Sequence, residues 1–306
     1  MIYFLRLIRY KNVLMAGIAQ LLVQYFLINP FLSAHQLPAT ATWIVICYVL
    51  SCACMGAAAN VINDITDVAC DNINHPSKVI INKHISEDRA FNFYLTLTAT
   101  AIIIGSIPAV VYRYYGIMIM LLIIALLLYA YSYRLKGIPL LGNLVVSSVI
   151  ALSIFIPMLY NLNTLLISDL MTTIGIFTLF AFLITLVREI VKCCEDYEGD
   201  NAAKINTIAV AYGLVAVRWL SLVLLLCVLG LIVYIIYLQI KLGINTKSDF
   251  INVGYEILFL IIPILLVCIK LIKAVSASHY KFPAVWLKYI MLAGLGAIVV
   301  FYFTGK

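Results

Sequence analysis

Long runs of leucine, isoleucine and valine, interrupted by short polar segments, extend through most of the chain. A helix that crosses a bilayer needs about 20 mostly apolar residues, and only helices or closed barrels satisfy their backbone polar groups in lipid. The continuous runs differ from the alternating pattern of a membrane barrel. The pattern therefore predicts an all-α membrane protein with about nine transmembrane helices in a bundle. The predicted spans are residues 13–32, 41–62, 92–112, 115–133, 138–160, 170–190, 208–238, 252–273 and 285–304.

The composition agrees with this pattern. Of the 306 residues, 65% are hydrophobic and 11% are charged, and the mean hydropathy is +1.11. So few polar side chains cannot cover the surface of a soluble domain. We interpret residues 1–306 as a single polytopic membrane domain.

The basic residues are distributed unevenly between the two sides of the predicted bundle. Of the 20 lysines and arginines, only Arg113, Lys241, Lys247 and Lys306 fall on the side opposite to the N-terminus. Because positive residues mark cytoplasmic loops, we expect a cytoplasmic N-terminus and an integral protein of the cytoplasmic membrane. The net charge of +7 then reflects topology and contact with anionic lipids, and nucleic acid is not an expected partner.

Acidic residues are concentrated in two short segments, one after the second predicted span and one after the sixth. On a helix, the aspartates of each segment would project from one face. Carboxylate oxygens suit Mg²⁺, which usually takes one or two carboxylates and completes its shell with water and substrate phosphate. Two facing clusters would bind a diphosphate. Seven of the thirteen acidic residues lie here: Asp64, Asp67, Asp71, Glu195, Asp196, Glu198 and Asp200.

Either cluster alone also fits ordinary loop charges in solvent. The two occupy equivalent positions, however, in what resembles an internal repeat of four helices, four helices and one more. Ionisable groups at membrane depth are generally functional. Basic residues on the same side would help to neutralise a diphosphate, although a cytoplasmic excess of positive charge explains them equally well. They are Arg134, Lys136, Arg188 and Lys192.

The same residues form an ordered set of motifs that resembles a known family. Asn60-xx-Asn63-Asp64-xx-Asp67-xxx-Asp71 looks like the first aspartate-rich motif of the UbiA superfamily of intramembrane prenyltransferases, and Asp196-xxx-Asp200 resembles its second. Arg9-Tyr10-Lys11-Asn12 resembles the start of that family's first helix, and Arg188-Glu189-Ile190-Val191-Lys192 the approach to its second motif. The resemblance covers roughly residues 6–220.

This resemblance implies a helix bundle around a central cavity, in which Mg²⁺ joins both aspartate motifs to an isoprenyl diphosphate donor within the membrane. The uneven distribution of basic residues places both motifs on the cytosolic side. It implies catalytic and metal-binding roles for Asp64, Asp67, Asp71, Asp196 and Asp200. It implies substrate-binding roles for Asn12, Asn60, Asn63, Lys78, Arg134, Lys136 and Lys192.

The chain also departs from the family pattern. Cys193 stands where the second motif commonly begins with another aspartate, which removes a hard oxygen ligand. Pro76-Ser77-Lys78 stands where an Arg-Pro pair is usual, and lysine cannot reproduce the bidentate fork of arginine.

Three functions remain open from the sequence. The first-helix segment and the run from Arg188 to Asp200 look most like the branch that includes geranylgeranylglycerol-phosphate geranylgeranyltransferase, whose acceptor is a lipid. Prenylation of an aromatic acceptor in quinone biosynthesis is the alternative within the enzyme class. A non-catalytic protein that binds or transports a prenyl lipid is the alternative outside it.

Overall fold

The computed structural model describes residues 2–74, 76–77, 79–161, 168–241 and 247–304. Within these ranges the chain is helical apart from short connections and one isolated bridge between Ile81 and Ile85. The helices are α1 (Ile2–Leu7), α2 (Tyr10–Leu22), α3 (Asn29–Ala34), α4 (Thr42–Thr66), α5 (Val68–Asn74), α6 (Glu87–Val111), α7 (Tyr115–Tyr133), α8 (Leu141–Leu159), α9 (Ser168–Glu195), α10 (Tyr197–Ala202), α11 (Ile208–Lys241), α12 (Lys247–Glu256), α13 (Ile262–Ile272) and α14 (Lys281–Thr304).

Nine helical segments of the described ranges are long and apolar enough to cross a membrane, which confirms the predicted fold class. A π-helical turn at Val23–Ile28 joins α2 to α3 in the first segment, and a second at Ile257–Ile261 joins α12 to α13 in the eighth. A π turn inserts an extra residue without ending the helix, so each pair still forms one continuous segment.

The predicted boundaries differ most at the ninth segment, which was expected to start at residue 285. It begins instead at Ala277 with a short 3₁₀ turn, and α14 follows from Lys281. Ser276 and His279 cap this turn through reciprocal contacts between side chain and backbone. These polar residues made the sequence around them less apolar, so the predicted segment began later. A capped helix can nevertheless extend beyond the hydrocarbon region.

Helix α9 is the central element of the bundle. It packs against α8, α11 and α14, while α2 packs against α4 and α8. Residues of α9, α11, α13 and α14 form one apolar core. Ile184, Val187 and Ile190 of α9 and Leu225 of α11 are fully buried in it. Together with α7, the helices α2, α4, α8, α9 and α14 surround the cavity described below.

Both aspartate motifs lie at breaks between helices, which corrects the prediction that each motif occupies one face of one helix. Asp67 separates α4 from α5 with φ −94° and ψ 2°, and Asp196 separates α9 from α10 with φ −89° and ψ 6°. At the first break, Asn63 donates to the Asp67 carboxylate at 2.7 Å and Thr66 donates to the Asn63 carbonyl at 3.0 Å. Such local side-chain bonds compete with the regular helical pattern.

A buried polar network lies at the far end of α2, more than three turns from its first residue. The Tyr48 hydroxyl donates to the Gln24 side-chain oxygen at 2.9 Å, and the Gln24 amide donates to Asn29 and Thr40, each at 2.8 Å. Buried polar groups need such partners. The network ties the π-helical turn and α3 of the first segment to α4, at the end of the bundle away from the aspartates.

Candidate active site

The bundle encloses a cavity of about 330 Å³ whose two ends differ in chemistry. Its inner wall is apolar and includes Met55, Leu121, Phe180 and Ile298. An apolar sleeve with one polar mouth suits a ligand that has a hydrocarbon tail and a charged head. The polar side chains of the mouth are Arg9, Asn12, Asn60, Asn63, Tyr131, Arg188, Glu189, Lys192 and Lys288.

The two aspartate motifs meet through α5 and α10. The side chain of Asn74 donates to the Asp196 carbonyl at 3.0 Å and accepts from the Gly199 backbone N–H at 2.9 Å. The Cys70 thiol donates to Asp200 Oδ1 at 3.0 Å. A Cβ atom on Gly199 would collide with the Asn74 side chain. Close packing at a glycine therefore joins the two motifs that the sequence predicted to face each other.

Two aspartates of the first motif are paired with basic residues from other segments. Arg9, which precedes α2, donates to Asp64 at 2.6 Å. Lys136, from the connection between α7 and α8, donates to Asp67 at 2.5 Å. Burial by itself lowers the pKa of the Lys136 ammonium, but the Asp67 charge and hydrogen bond outweigh this and raise the pKa above its ordinary value. Lys136 is therefore held in its charged form.

Among the residues that the structure describes, no cation lies within ion-pair distance of Asp71 or Asp200. Burial raises the pKa of Asp71 above its ordinary value, and the neighbouring Asp67 charge raises it further. Burial also raises the pKa of Asp200, which is 4% exposed. Crowded carboxylates that resist ionisation gain most from a bound cation, because it offsets both desolvation and mutual repulsion.

The donor set of this region fits a hard divalent ion. Asn63 Oδ1 is buried without a hydrogen-bond partner and lies beside the Asp67 carboxylate. No cluster of three or more Asp, Glu, His or Cys side chains within the described ranges would hold a metal by itself. Mg²⁺ does not require one, since it commonly uses one or two carboxylates and takes its other ligands from water and substrate phosphates.

The remaining sequence-predicted residues divide into three groups. Asn12, Asn60, Asn63 and Lys192 line the mouth of the cavity, and Asn60 also donates to the Ile8 carbonyl at 3.0 Å. Arg134 is exposed and, unlike Lys136, forms no ion pair with an aspartate among the described residues, so its predicted diphosphate contact gains no support from the structure. Lys78 lies outside the described residues.

The sequence did not single out several residues of the mouth as site residues. Arg9 was noted only as part of a family motif, and Glu189 only within the segment that leads to the second motif. Lys288 of α14 was treated as an ordinary cytoplasmic charge, yet it lines the cavity and donates to Asn12 at 2.9 Å. Arg9 had the clearer signal, because it directly precedes the first apolar run.

Cys193 is held by contacts with the neighbouring helices of the bundle. Its sulfur accepts a hydrogen bond from the Asn143 amide of α8 at 3.3 Å, and its side chain packs against the apolar core around α9. Like the five aspartates of the motifs, it is not among the residues that line the cavity. The position that commonly carries an aspartate in the family therefore contributes packing in this chain.

Comparisons with known proteins agree with this geometry. Residues 21–246 match the model of the UbiA prenyltransferase family. The digeranylgeranylglyceryl phosphate synthase of Methanobrevibacter smithii is 30% identical over 238 residues, which cover 77% of this chain and 78% of that protein. The enzyme of the same name from Metallosphaera sedula is 33% identical over 217 residues, which cover 71% of this chain and 70% of its own.

Solved structures share the fold. A structure of digeranylgeranylglyceryl phosphate synthase has a TM-score of 0.66 at 22% identity and covers 97% of this chain and 96% of its own. A UbiA homologue from Archaeoglobus fulgidus, bound to GPP and Mg²⁺, has a TM-score of 0.62 at 15% identity and covers 97% of this chain and 99% of its own. The match over 21–246 extends through both aspartate motifs and most of the helices around the cavity, and the chain belongs to the UbiA prenyltransferase family.

Proposed function

We propose that this protein transfers an isoprenyl group from a prenyl diphosphate to the hydroxyl group of a glycerol phosphate lipid, with Mg²⁺ as cofactor. One observation carries the proposal: α5 and α10 hold the two aspartate motifs together beside the polar mouth of an apolar cavity. The choice of acceptor follows the relatives named digeranylgeranylglyceryl phosphate synthase. A product of that name requires an acceptor that already carries one geranylgeranyl group and a phosphate.

The proposed metal ligands are drawn from the five aspartates of the motifs and from the orphan oxygen of Asn63. When bound, Mg²⁺ neutralises charge that develops on a leaving diphosphate. In this role we assign Asp67, Asp71, Asp196 and Asp200 to metal binding. Asp64, which is paired with Arg9, is assigned to the same group of ligands.

The residues of the chain itself would bind and orient both substrates. Arg9, Lys136 and Lys192 bring positive charge to the aspartate side of the mouth, where the diphosphate is placed. The apolar wall holds the prenyl tail and excludes bulk water from the reactive allylic carbon.

The transfer itself exchanges one carbon–oxygen bond for another. The bond between C1 of the prenyl group and the diphosphate oxygen breaks, and its electron pair leaves with the diphosphate. A lone pair of the acceptor hydroxyl oxygen forms the new bond to C1. The hydroxyl proton passes to the departing diphosphate, so the products are an ether lipid and protonated diphosphate.

We further propose that residues 1–306 form one catalytic domain whose mouth faces the cytosol. Arg9 and Lys192 line the mouth, and Lys136 lies beside it through its ion pair with Asp67; positive charge is typical of cytoplasmic segments. Water-soluble diphosphate and Mg²⁺ would then reach the site directly from the cytosol.

The test uses the purified full-length protein in lipid nanodiscs. It is supplied with geranylgeranyl diphosphate and geranylgeranylglyceryl phosphate, with and without Mg²⁺, and the products are identified by mass spectrometry. We expect a doubly prenylated glycerol phosphate that disappears with chelator and falls at least about 100-fold in Asp196→Ala, the scale of losing one preorganised charge-stabilising group. Product only from an aromatic acceptor would move the protein to quinone chemistry. If the donor releases no diphosphate with any acceptor, the protein is a binding or transport protein.

A further inference from the structure

The mouth of the cavity has a second basic group, separate from the cations that pair with the aspartates. It consists of Lys11 of α2, Arg188 of α9 and Lys288 of α14, and we call it the α14-side cluster. Arg188 and Lys288 line the cavity, and the exposed Lys11 directly precedes Asn12, which also lines it. The charges of Lys11 and Arg188 both act on Lys288, so the three lie within electrostatic reach of one another.

These cations are less fully neutralised than those on the aspartate side. The ammonium of Lys288 donates to a neutral amide oxygen, Oδ1 of Asn12, at 2.9 Å. Arg188 pairs with its sequence neighbour Glu189, but its buried Nε has no hydrogen-bond partner. Three positive charges against the one carboxylate of Glu189 leave a net charge of two positive at the cluster.

Like charges at a half-buried site repel one another and are costly to desolvate unless an anion joins them. A phosphate monoester carries about −1.5 to −2 charges at pH 7 and has several acceptor oxygens. It therefore matches both the net charge of the cluster and its supply of N–H donors. A guanidinium is also well suited to phosphate, because its donors form a planar fork.

We propose that the α14-side cluster binds the phosphate monoester of the acceptor lipid. This inference rests on the proposed function and adds the location of the acceptor headgroup. The donor diphosphate belongs to the other side of the mouth, where Arg9 and Lys136 accompany the aspartates. Both substrates then share one cavity, with the glycerol hydroxyl of the acceptor between the two phosphate sites.

The arrangement also gives a reason for selecting a phosphate-bearing acceptor. An acceptor without phosphate would leave Lys288 and Arg188 crowded and the buried Arg188 Nε without a partner. A site built to bind a polar group rejects analogues that lack it, because its own buried polar groups are then unsatisfied.

The first experiment measures steady-state kinetics of the full-length protein in nanodiscs for Lys288→Ala, Lys288→Arg and Lys11→Ala. We expect the KM for geranylgeranylglyceryl phosphate to rise about tenfold or more in Lys288→Ala, the effect of losing one charged hydrogen bond. The KM for the prenyl diphosphate should stay within about twofold, and Lys288→Arg should restore most of the acceptor affinity. Lys281→Ala is the matched control, because Lys281 is an exposed lysine at the start of the same helix.

The second experiment measures equilibrium binding without Mg²⁺, so it does not depend on turnover. The probes are geranylgeranylglyceryl phosphate, the same lipid without its phosphate, and phosphatidylglycerol, which is a phosphodiester. Lys288→Ala and Lys11→Ala should weaken binding of the monoester and leave the other two unchanged. Equal weakening of phosphatidylglycerol would overturn the proposal in favour of a bilayer-lipid contact.

The outcomes separate this inference from the proposed function. If the wild-type protein makes product from geranylgeranylglyceryl phosphate but the variants change only the donor KM, the cluster belongs to the donor and the inference is wrong. If the wild-type protein makes no product from that acceptor, the proposed function fails first. Lys11 is exposed, so Lys11→Ala keeps the test decisive if truncation of Lys288 prevents folding.

Discussion

At the scale of single residues, the most informative contacts are the ion pairs that Asp64 and Asp67 make with Arg9 and Lys136. Each aspartate meets a cation that comes from a distant part of the chain. A divalent ion at this site would compete with these cations for the carboxylate oxygens. The same basic side chains, once released, are close enough to the mouth to meet a diphosphate.

The first prediction concerns Lys136→Gln. Removal of the ammonium leaves the Asp67 carboxylate without its competing cation, so the Mg²⁺ concentration needed for half-maximal rate should fall. The maximal rate should fall about 100-fold, because one positive group near the leaving diphosphate is lost. Both quantities come from a Mg²⁺ titration of the prenyl transfer rate. Lys273→Ala, at an exposed site after α13, serves as control, and a raised Mg²⁺ requirement in Lys136→Gln would contradict the proposed competition.

The second prediction concerns Cys193→Asp, at the position where the chain departs from its family. The Cys193 side chain packs against Asn143 and the core of α9, and the charges of Glu189, Asp200 and Lys192 lie within electrostatic reach. A carboxylate there should lower the melting temperature, because it adds a buried negative charge where two carboxylates already face one cation. It should leave the Mg²⁺ dependence unchanged.

Cys193→Ser separates the effect of charge from that of polarity, since the hydroxyl can also accept from Asn143. The measurements are thermal unfolding in detergent and the Mg²⁺ titration of activity. A lower half-saturating Mg²⁺ concentration in Cys193→Asp would mean that the side chain reaches the metal after all.

At the scale of elements, the apolar pattern of the sequence predicted all nine membrane segments found in the described ranges, because length and hydropathy alone determine them. The breaks at Asp67 and Asp196 could not be predicted in the same way, since they depend on side-chain bonds such as Asn63 to Asp67. The early start of the ninth segment was missed because Ser278, His279 and Lys281 interrupt the apolar pattern there. Local polar chemistry therefore decides where the helices end.

The third prediction tests the contact between α5 and α10. Gly199→Ala would place a methyl group against the side chain of Asn74, which bonds to both the Asp196 carbonyl and the Gly199 N–H. The two motifs should separate slightly, so we expect a raised Mg²⁺ requirement and a rate reduced at least about tenfold, since small misplacements at a reacting centre are costly.

Gly175→Ala is the matched control for this substitution. Gly175 lies in α9, and a Cβ atom there meets nothing within 4 Å. Alanine should be neutral or slightly stabilising at such a site, because it favours the helix more than glycine does. Activity of Gly199→Ala equal to that of Gly175→Ala would show that the contact with Asn74 is not needed to hold the motifs together.

At the scale of the whole molecule, the bundle joins residues that no local pattern connects. Asn12 and Lys288 are 276 positions apart and share a hydrogen bond at the mouth of the cavity. The sequence predicted the aspartate side of the site, because two similar motifs mark it. It could not predict the α14-side cluster, because its members are single basic residues on three helices and each fits an ordinary cytoplasmic charge.

The last prediction concerns the orientation of the bundle, which rests on the uneven distribution of its basic residues. Single cysteines would be introduced in a cysteine-free background at exposed His35 and Arg113 on one side, and at exposed Asn201 and Lys281 on the other. A membrane-impermeant maleimide should label the first pair in intact cells. It should label the second pair only after permeabilisation, because the mouth of the cavity is expected to face the cytosol.

The labelling result also bears on how substrates reach the site. Arg9, Lys136 and Lys192 lie at the same end of the bundle as Asn201, which is in α10 directly after the second motif. Labelling of Asn201→Cys in intact cells would place the aspartates outside the cell, away from cytosolic prenyl diphosphates, and would rule out the proposed orientation. Labelling only after permeabilisation would mean that the diphosphate and Mg²⁺ reach the mouth from the cytosol, while the prenyl tails enter the apolar part of the cavity.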